Sequence, residues 1–250
     1  MKVYRGLENL PNFSRAVATM GSFDGVHGGH LVLINRVIER ARELSGESII
    51  LTFDPHPRYV LGTADGMQLL STLDEKIFLL EQAGIDNLIV IPFTPQFSKQ
   101  SPAEFVQNYL SRIGIERFIV GYNHRFGHNK QGDYGYLKNE EGTMAIEMVE
   151  QQLIQEHKVS STIVRGAIES GEMSRAAELL SHPYIIMCQI GADGTIAEPA
   201  PEKLLPPARE YHVRVGECKG VLTISENRKL RLKLGEESHL NPNKVIVELI

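Results

Sequence analysis

Short apolar runs rich in β-branched residues alternate with longer segments of helical periodicity up to about residue 180. Such runs predict strands. The first long segment places Leu31, Ile34, Ile38 and Ala41 on one face of a helix. Because strands and helices alternate, we predict an α/β fold with a parallel, doubly wound, Rossmann-like sheet and helices on both faces. The strand-like runs are AVATM (16–20), SIILTF (48–53), NLIVIPF (87–93), RFIVGY (117–122) and TMAIEMVE (143–150).

Two of the predicted helices begin at recognisable capping sequences. Thr72 and Glu75 have the spacing of a capping box. Ser101, Pro102 and Glu104 fit the N-cap, first and third positions of another helix. These signals support the α/β assignment independently of any functional motif.

The pattern changes after residue 183. Strand-like runs follow without a convincing helix, and a proline-rich connector, EPAPEKLLPPARE (198–210), lies among them. Leu230, Leu232 and Leu234 alternate with charged residues, which is typical of a sheet with one solvated face. We therefore expect an α/β domain over residues 1–183 and a small antiparallel β domain over 184–250. The runs are YIIMCQI (184–190), EYHVRV (210–215), GVLTIS (220–225), RKLRLKL (228–234) and KVIVELI (244–250).

The composition favours a globular protein that acts on small molecules. Of the 250 residues 42% are hydrophobic and the formal net charge is −5, so nucleic acid is not an expected partner. The sequence has neither the apolar core of a secretion signal nor the run of about 18 apolar residues that a membrane helix needs. Cys188 and Cys218 lie in strand-like runs, which suits free thiols in a reducing compartment. We expect a cytoplasmic protein without membrane contact, and homo-oligomerisation stays open.

A glycine-rich segment, TMGSFDGVHGGH (19–30), separates the first buried strand from the first helix. In an open α/β sheet this turn commonly binds phosphate, because free backbone N–H groups and the helix dipole point there. Gly21 and Gly25 would let the backbone approach a polyphosphate, and His27 and His30 would donate hydrogen bonds to it. The alternative is a tight glycine turn with two exposed histidines.

A second candidate anion site lies in KVSSTIVRGAIESGE (158–172). Ser160, Ser161 and Thr162 can cap a helix there, and Arg165 follows one turn later. The alternative is an ordinary capped helix with a solvated arginine. Two phosphate-binding loops on one parallel sheet are what a nucleotide transferase needs.

Five longer strings follow one another along the chain: GSFDGVHGGH (21–30), TFDPHP (52–57), STLDEKIFLLEQAGID (71–86), FIVGYNHRFG (118–127) and VSSTIVRGAIESGEMSRAAELLSHPY (159–184). Together they resemble the FMN adenylyltransferase module of bacterial FAD synthetases. The similarity runs from about residue 3 to 184, in order and at plausible spacing. It implies transfer of AMP from ATP to FMN, with Mg²⁺, to give FAD and pyrophosphate.

The resemblance also assigns roles to matching residues. His27, His30 and Arg165 would be catalytic, with the two histidines on the ATP phosphates and Arg165 gripping ATP beside Ser161 and Thr162. No residue is assigned as a metal ligand. The substrate-binding residues it implies are Gly21, Phe23, Asp24, Gly25, Phe53, His56, Asn123, Arg125, Ser161 and Thr162.

Several of these residues have ordinary structural alternatives. Asp24 could make a turn contact inside the glycine loop instead of contacting magnesium or ribose. His56, between two prolines, could be structural instead of contacting the flavin. Asn123 matches a position that the family ties to placement of the flavin and its phosphate, and Arg125 is close by; both could belong to an ordinary strand-to-loop turn with a surface arginine.

The sequence departs from the family at three places. Gly28 and Ile163 stand where the family usually has arginines of the two phosphate loops. Residues 184–250 contain neither the glycine-rich loop nor the Pro-Thr-Ala-Asn motif of the riboflavin kinase barrel that usually follows. We therefore expect a shortened, degenerate kinase-like β domain, with FMN supplied by another protein.

Three other functions compete with this interpretation. Another small-molecule nucleotidyltransferase would share the fold, but TFDPHP and GYNHRFG favour a flavin acceptor. An aminoacyl-tRNA synthetase fragment would need a lysine-rich loop and a basic face. A non-catalytic flavin or nucleotide sensor would explain the missing arginines and the shortened β domain, whereas the retained histidines favour an enzyme.

Overall fold

The computed structural model describes residues 1–139, 144–150, 153–154, 157–191, 195–197, 199–235 and 244–250. The chain divides into two compact units. The first contains Met1–Phe23, Gly29–Gly66 and Ile77–Leu153, and the second contains Asp24–Gly28, Met67–Lys76 and Ile154–Ile250. Each unit is built around its own sheet.

The first unit contains a six-stranded sheet in the order β1-β4-β3-β2-β5-β6, with every neighbouring pair parallel. This confirms the predicted parallel α/β fold. The first strand was not predicted because its residues are mostly exposed and show no apolar run. The strands are β1 (Lys2–Arg5), β2 (Ala16–Met20), β3 (Ser48–Asp54), β4 (Asn87–Pro92), β5 (Ile115–Gly121) and β6 (Ala145–Val149).

The helices that flank these strands follow the sequence signals closely. Both capping boxes are confirmed: Thr72 and Glu75 exchange hydrogen bonds, and so do Ser101 and Glu104. A π-helical turn, Val106–Leu110, joins two short helices. The helices are α1 (Gly28–Glu43), α2 (Pro57–Val60), α3 (Leu73–Gln82), α4 (Pro102–Phe105), α5 (Ser111–Ile113) and α6 (Tyr134–Asn139).

The second unit contains a six-stranded antiparallel sheet in the order β10-β13-β12-β11-β14-β9. Burial alternates along Glu210–Val215 and Leu230–Leu234, where Leu230 and Leu232 face the core, as predicted. That core also contains Val164, Ile168 and Leu180 of two helices. The later elements are β7 (Leu153–Ile154), β8 (His157–Lys158), α7 (Ser161–Glu169), α8 (Met173–Leu180), β9 (Tyr184–Cys188), β10 (Thr195–Ile196), β11 (Glu210–Val215), β12 (Cys218–Ile224), β13 (Leu230–Leu234) and β14 (Val245–Leu249).

The two compact units are defined by packing, whereas the two predicted domains are defined by the sequence pattern. Packing assigns α7 and α8 to the second unit, together with residues 24–28 and 67–76. The division at residue 183 into two functional domains stays a prediction. Cys188 and Cys218 are free thiols, and within the described ranges no helix is long and apolar enough to cross a membrane.

Candidate functional site

The part of the glycine loop that lies in the second unit is a tight, buried turn. Asp24–Val26 form one turn of 3₁₀ helix, and Gly25 has φ of 80°. A Cβ atom at Gly25 would lie 2.8 Å from Leu70 Cδ1. Both the backbone angle and the space therefore require glycine at this position.

Asp24 forms a buried ion pair with Arg165. The Arg165 Nη2 atom donates to Asp24 Oδ2, and its Nε donates to the Gln68 carbonyl at 2.8 Å. The Asp24 side chain is 2% exposed and the Arg165 side chain 12%. Burial raises the pKa of the Asp24 carboxyl, and Arg165 opposes that rise. The sequence predicted each residue for the site separately, but their pairing was not predicted.

Ser71 and Ser161 complete the hydrogen bonding of this turn. Gly25 N donates to Ser71 Oγ at 2.9 Å, and Ser71 N donates to Asp24 Oδ1 at 3.1 Å. Ser161 Oγ donates to the Asp24 carbonyl at 3.2 Å. The second unit thus brings Asp24, Gly25, Ser161 and Arg165 together, and Ser71 is a member of this group that sequence reasoning missed.

His27 is buried next to this group. Its pKa is lowered to about 4, first by burial, with further lowering by Arg165 and His182. His27 is therefore neutral near pH 7 and carries one N–H. His182 Nε2 lies 3.1 Å from the Gly25 carbonyl, a contact that the sequence did not reveal.

The start of α7 differs in detail from the predicted cap. Ser160 occupies the N-cap position in an extended conformation, but its hydroxyl makes no capping hydrogen bond. Its carbonyl accepts the first hydrogen bond of the helix, from Val164 N at 3.1 Å. Thr162 and Ile163 are exposed. The predicted role of Thr162 in gripping ATP stays a prediction.

The residues on either side of this turn, up to Phe23 and from Gly29 onward, belong to the first unit. Gly21 N donates to the Leu51 carbonyl at 3.1 Å. Phe23 is 1% exposed, and its ring centroid lies 5.2 Å from that of His30, with the planes inclined at 61°. The ring of His30 is therefore oriented by an edge-to-face contact.

An aromatic pocket of about 500 Å³ also lies in the first unit. Its size falls in the range usual for small-molecule sites. Phe93 and Phe97, which follow β4, lie 5.2 Å apart between ring centroids, and Phe53 lies 5.4 Å from Phe93. Phe93 and Phe97 line the pocket together with Leu61, Phe105 and His128, and Phe53 packs against Phe93. Of these aromatic residues sequence reasoning named only Phe53, although aromatic residues directly after a buried strand were a usable signal.

Three predicted flavin-side residues lie on loops of the first unit. His56 is the N-cap of α2, where its Nδ1 accepts from Arg58 N at 3.2 Å. Arg125 is exposed and paired with Asp133, and Asn123 is exposed after β5. Here His56 has the structural role that the sequence left as an alternative. Flavin contacts by all three stay predictions.

The described residues do not provide a protein cage for Mg²⁺. Within the described ranges no three His, Cys, Asp or Glu residues could hold a metal ion. Both oxygens of Asp24, the acidic residue of the loop, accept hydrogen bonds from Ser71 and Arg165. Asp24 is thus a poor candidate for a magnesium ligand.

These features define an α/β protein with a parallel sheet, a glycine-rich turn after its first buried strand and a ligand-sized aromatic pocket. The FAD synthetase family model matches residues 10–163, and the chain belongs to this family. The predicted resemblance is confirmed for the adenylyltransferase module.

The most informative relatives are bacterial proteins. One from Listeria monocytogenes, a bifunctional riboflavin kinase/FMN adenylyltransferase, is 36% identical over 67% of this chain and 54% of its own length. A protein of the same name from Bacillus subtilis is 31% identical over 69% of this chain and 55% of its own. The chain thus spans about half the length of these curated relatives. A putative bifunctional enzyme from Geobacillus thermodenitrificans is 31% identical over 73% of this chain and 98% of its own length.

One solved structure matches nearly the whole chain. A crystal structure described as a macrolide-efflux protein from Streptococcus pneumoniae has a TM-score of 0.83 and covers 99% of this chain and 88% of its own. The sequence identity is 20%, so this likeness supports the fold alone.

Proposed function

We propose that the chain is an FMN adenylyltransferase that converts ATP and FMN to FAD and pyrophosphate. The aromatic pocket beyond β4 carries this proposal, because it belongs to a chain of the FAD synthetase family and suits a flat apolar ring. The isoalloxazine ring of FMN would pack against Phe93 and Phe97.

In the proposed reaction, an oxygen of the FMN phosphate attacks the α-phosphorus of ATP. The new phosphorus–oxygen bond forms as the bond to the β-phosphate breaks, and pyrophosphate leaves with the electron pair. A phosphate monoester is largely dianionic at pH 7, its second pKa being about 6, so no strong general base is needed. Catalysis then consists of positioning and of stabilising charge on the phosphate oxygens.

We assign that stabilisation to the glycine loop. The neutral His27 would donate its N–H to a phosphate oxygen, as would His30. The backbone of Gly25 and the hydroxyls of Ser161 and Thr162 would line the ATP side. Mg²⁺ would accompany ATP and neutralise charge on its phosphates, and we assign it no ligand among the described residues.

We further propose that the chain lacks riboflavin kinase activity. Residues 184–250 contain neither the glycine-rich loop nor the Pro-Thr-Ala-Asn motif expected of such a kinase. FMN would then come from another protein. The two free thiols are compatible with a cytoplasmic setting, and homo-oligomerisation stays open.

The test is a product assay on the purified chain with ATP, Mg²⁺ and either FMN or riboflavin, resolved by chromatography. We expect FAD from FMN and no FMN from riboflavin. FMN formed from riboflavin would contradict the loss of the kinase. Binding of FMN and ATP without any FAD would favour the sensor function instead.

A further inference from the structure

Residues 68–71, which we call the strut, make contacts of two kinds within the second unit. Gln68 and Ser71 hold the site: Gln68 O accepts from Arg165, and Ser71 bonds to Asp24 and Gly25. Leu69 and Leu70, which lie between them, bond to residues 202–204 of the proline-rich connector. Leu69 N donates to the Glu202 carbonyl at 2.6 Å, and Leu204 N donates to the Leu69 carbonyl at 2.8 Å.

Lys203 anchors the strut from the connector. Its side chain is 1% exposed. Its ammonium donates to the Leu70 carbonyl at 2.8 Å, to Glu75 Oε2 at 2.7 Å and to the Ile185 carbonyl at 2.9 Å. It also lies 4.2 Å from the centre of the Tyr184 ring. A lysine has three N–H donors, so these three acceptors account for its full donor capacity.

Glu75 extends the same connection to the edge of the antiparallel sheet. Its Oε1 accepts from Met187 N at 2.9 Å, and its Oε2 accepts from Thr72 N at 2.8 Å. Ile185 and Met187 belong to β9, the edge strand next to β14. The Glu75–Lys203 pair therefore satisfies backbone groups of an open sheet edge and fixes the strut to it.

We propose that Lys203 is a positioning residue for adenylyl transfer: it fixes the strut, and the strut holds Asp24, Gly25 and Arg165 in the geometry that binds ATP. The inference rests on the proposed function. It gives the C-terminal residues a task in the transferase reaction, in place of an inert kinase remnant.

The first test compares Lys203→Met with Val213→Ala. Val213 is a buried core residue of β11, a strand that pairs with β12 and β14, so its truncation lowers stability without removing a hydrogen bond of the strut. We expect Lys203→Met to raise KM for ATP at least tenfold and to leave KM for FMN within twofold. Val213→Ala should leave both KM values within twofold. If Lys203→Met and Val213→Ala have the same KM for ATP at matched stability, the proposal is overturned.

The second test uses variants that avoid an unpaired buried charge. Ser71→Ala removes the acceptor for Gly25 N and should reproduce the rise in KM for ATP while Lys203 stays in place. The double variant Lys203→Met/Glu75→Gln removes both charges and should show the same rise. If neither variant changes KM for ATP, the strut has no positioning role.

Hydrogen exchange gives a readout that does not depend on activity. We expect the Gly25 and Ser71 amides to exchange at least tenfold faster in Lys203→Met than in Val213→Ala. If the wild-type protein makes no FAD but these amides still respond, the strut is supported and the proposed function fails. Unchanged exchange would overturn the strut even in an active enzyme.

Discussion

The guanidinium of Arg165 is paired with the carboxylate of Asp24, and both side chains are largely buried in the second unit. The two residues are separated by 141 positions in the sequence. Asp24 thus has a partner that accounts for its burial in the glycine loop, and Arg165 is held at its Nη2 and Nε atoms. The pair links the two segments that the sequence identified as phosphate sites.

We predict that breaking this pair destabilises the protein strongly. Arg165→Met leaves a buried carboxylate without its cation, which costs about 3–5 kcal/mol. Chemical denaturation measures the loss. Asp24→Asn/Arg165→Met should recover part of it, because neither charge then remains. Arg214→Met, which breaks a more exposed pair with Glu248, should cost about 1 kcal/mol or less; a similar loss in both single variants would contradict the account.

The sequence predicted the sheets well because their signals are local. Short apolar runs rich in β-branched residues identified β2 to β6, and capping residues identified the starts of α3 and α4. It missed β1, whose side chains are mostly exposed. The two-residue β10 is too short for a periodic signal.

The site was predicted less completely, because its geometry depends on distant contacts. The sequence indicated Asp24 and Arg165 but gave no reason to pair residues so far apart. It missed Ser71, whose only local signal was its place before a helix start. Phe97 and Phe105 become pocket walls only when the loop after β4 packs against α4.

We predict that His27→Asn lowers kcat for FAD formation about 10²- to 10³-fold, the range typical for loss of one preorganised donor to a transition-state oxygen. Steady-state kinetics with saturating ATP and FMN measures this. Because His27 is buried, the thermal unfolding midpoint and FMN affinity of the variant must be measured beside kcat. A folded variant with wild-type kcat would exclude His27 from the mechanism.

We predict that Leu61→Asn weakens FMN binding about tenfold, equivalent to about 1.4 kcal/mol, because Leu61 lines the aromatic pocket. Its exposed fraction is 52%, so stability should change little. Quenching of FMN fluorescence measures the affinity. Val3→Asn, at another exposed apolar residue of the first unit, is the control and should bind FMN normally. Equal affinities in the two variants would count against a flavin in this pocket.

We predict an acid-sensitive contribution to stability from His124 in the first unit. Burial lowers its pKa from 6.5 to about 4, so unfolding takes up a proton between those pH values. Above pH 6.5 this proton uptake does not affect the free energy of unfolding. As the pH falls from 6.5 toward 4, the uptake progressively lowers the stability of the folded protein. His124→Phe keeps a ring against Phe126 and removes the titration.

Relative to the wild type, His124→Phe should therefore gain stability on going from pH 7.5 to pH 5, by up to about 2 kcal/mol at 1.4 kcal/mol per pH unit. Urea denaturation at the two pH values measures the difference. Phe13→Leu alters a ring contact with Tyr4 and leaves the rings around His124 in place, so its difference from the wild type should not vary with pH. If the difference between His124→Phe and the wild type does not vary with pH, the burial of His124 does not lower folding stability at acidic pH.

The most direct measurement is a time course in which FAD, pyrophosphate and ADP are quantified in the same samples of purified chain, ATP, Mg²⁺ and FMN. Adenylyl transfer predicts one pyrophosphate for each FAD and no ADP above background, with both products falling together in His27→Asn. ADP formation, or bound ATP and FMN that never yield FAD, would contradict the proposed function.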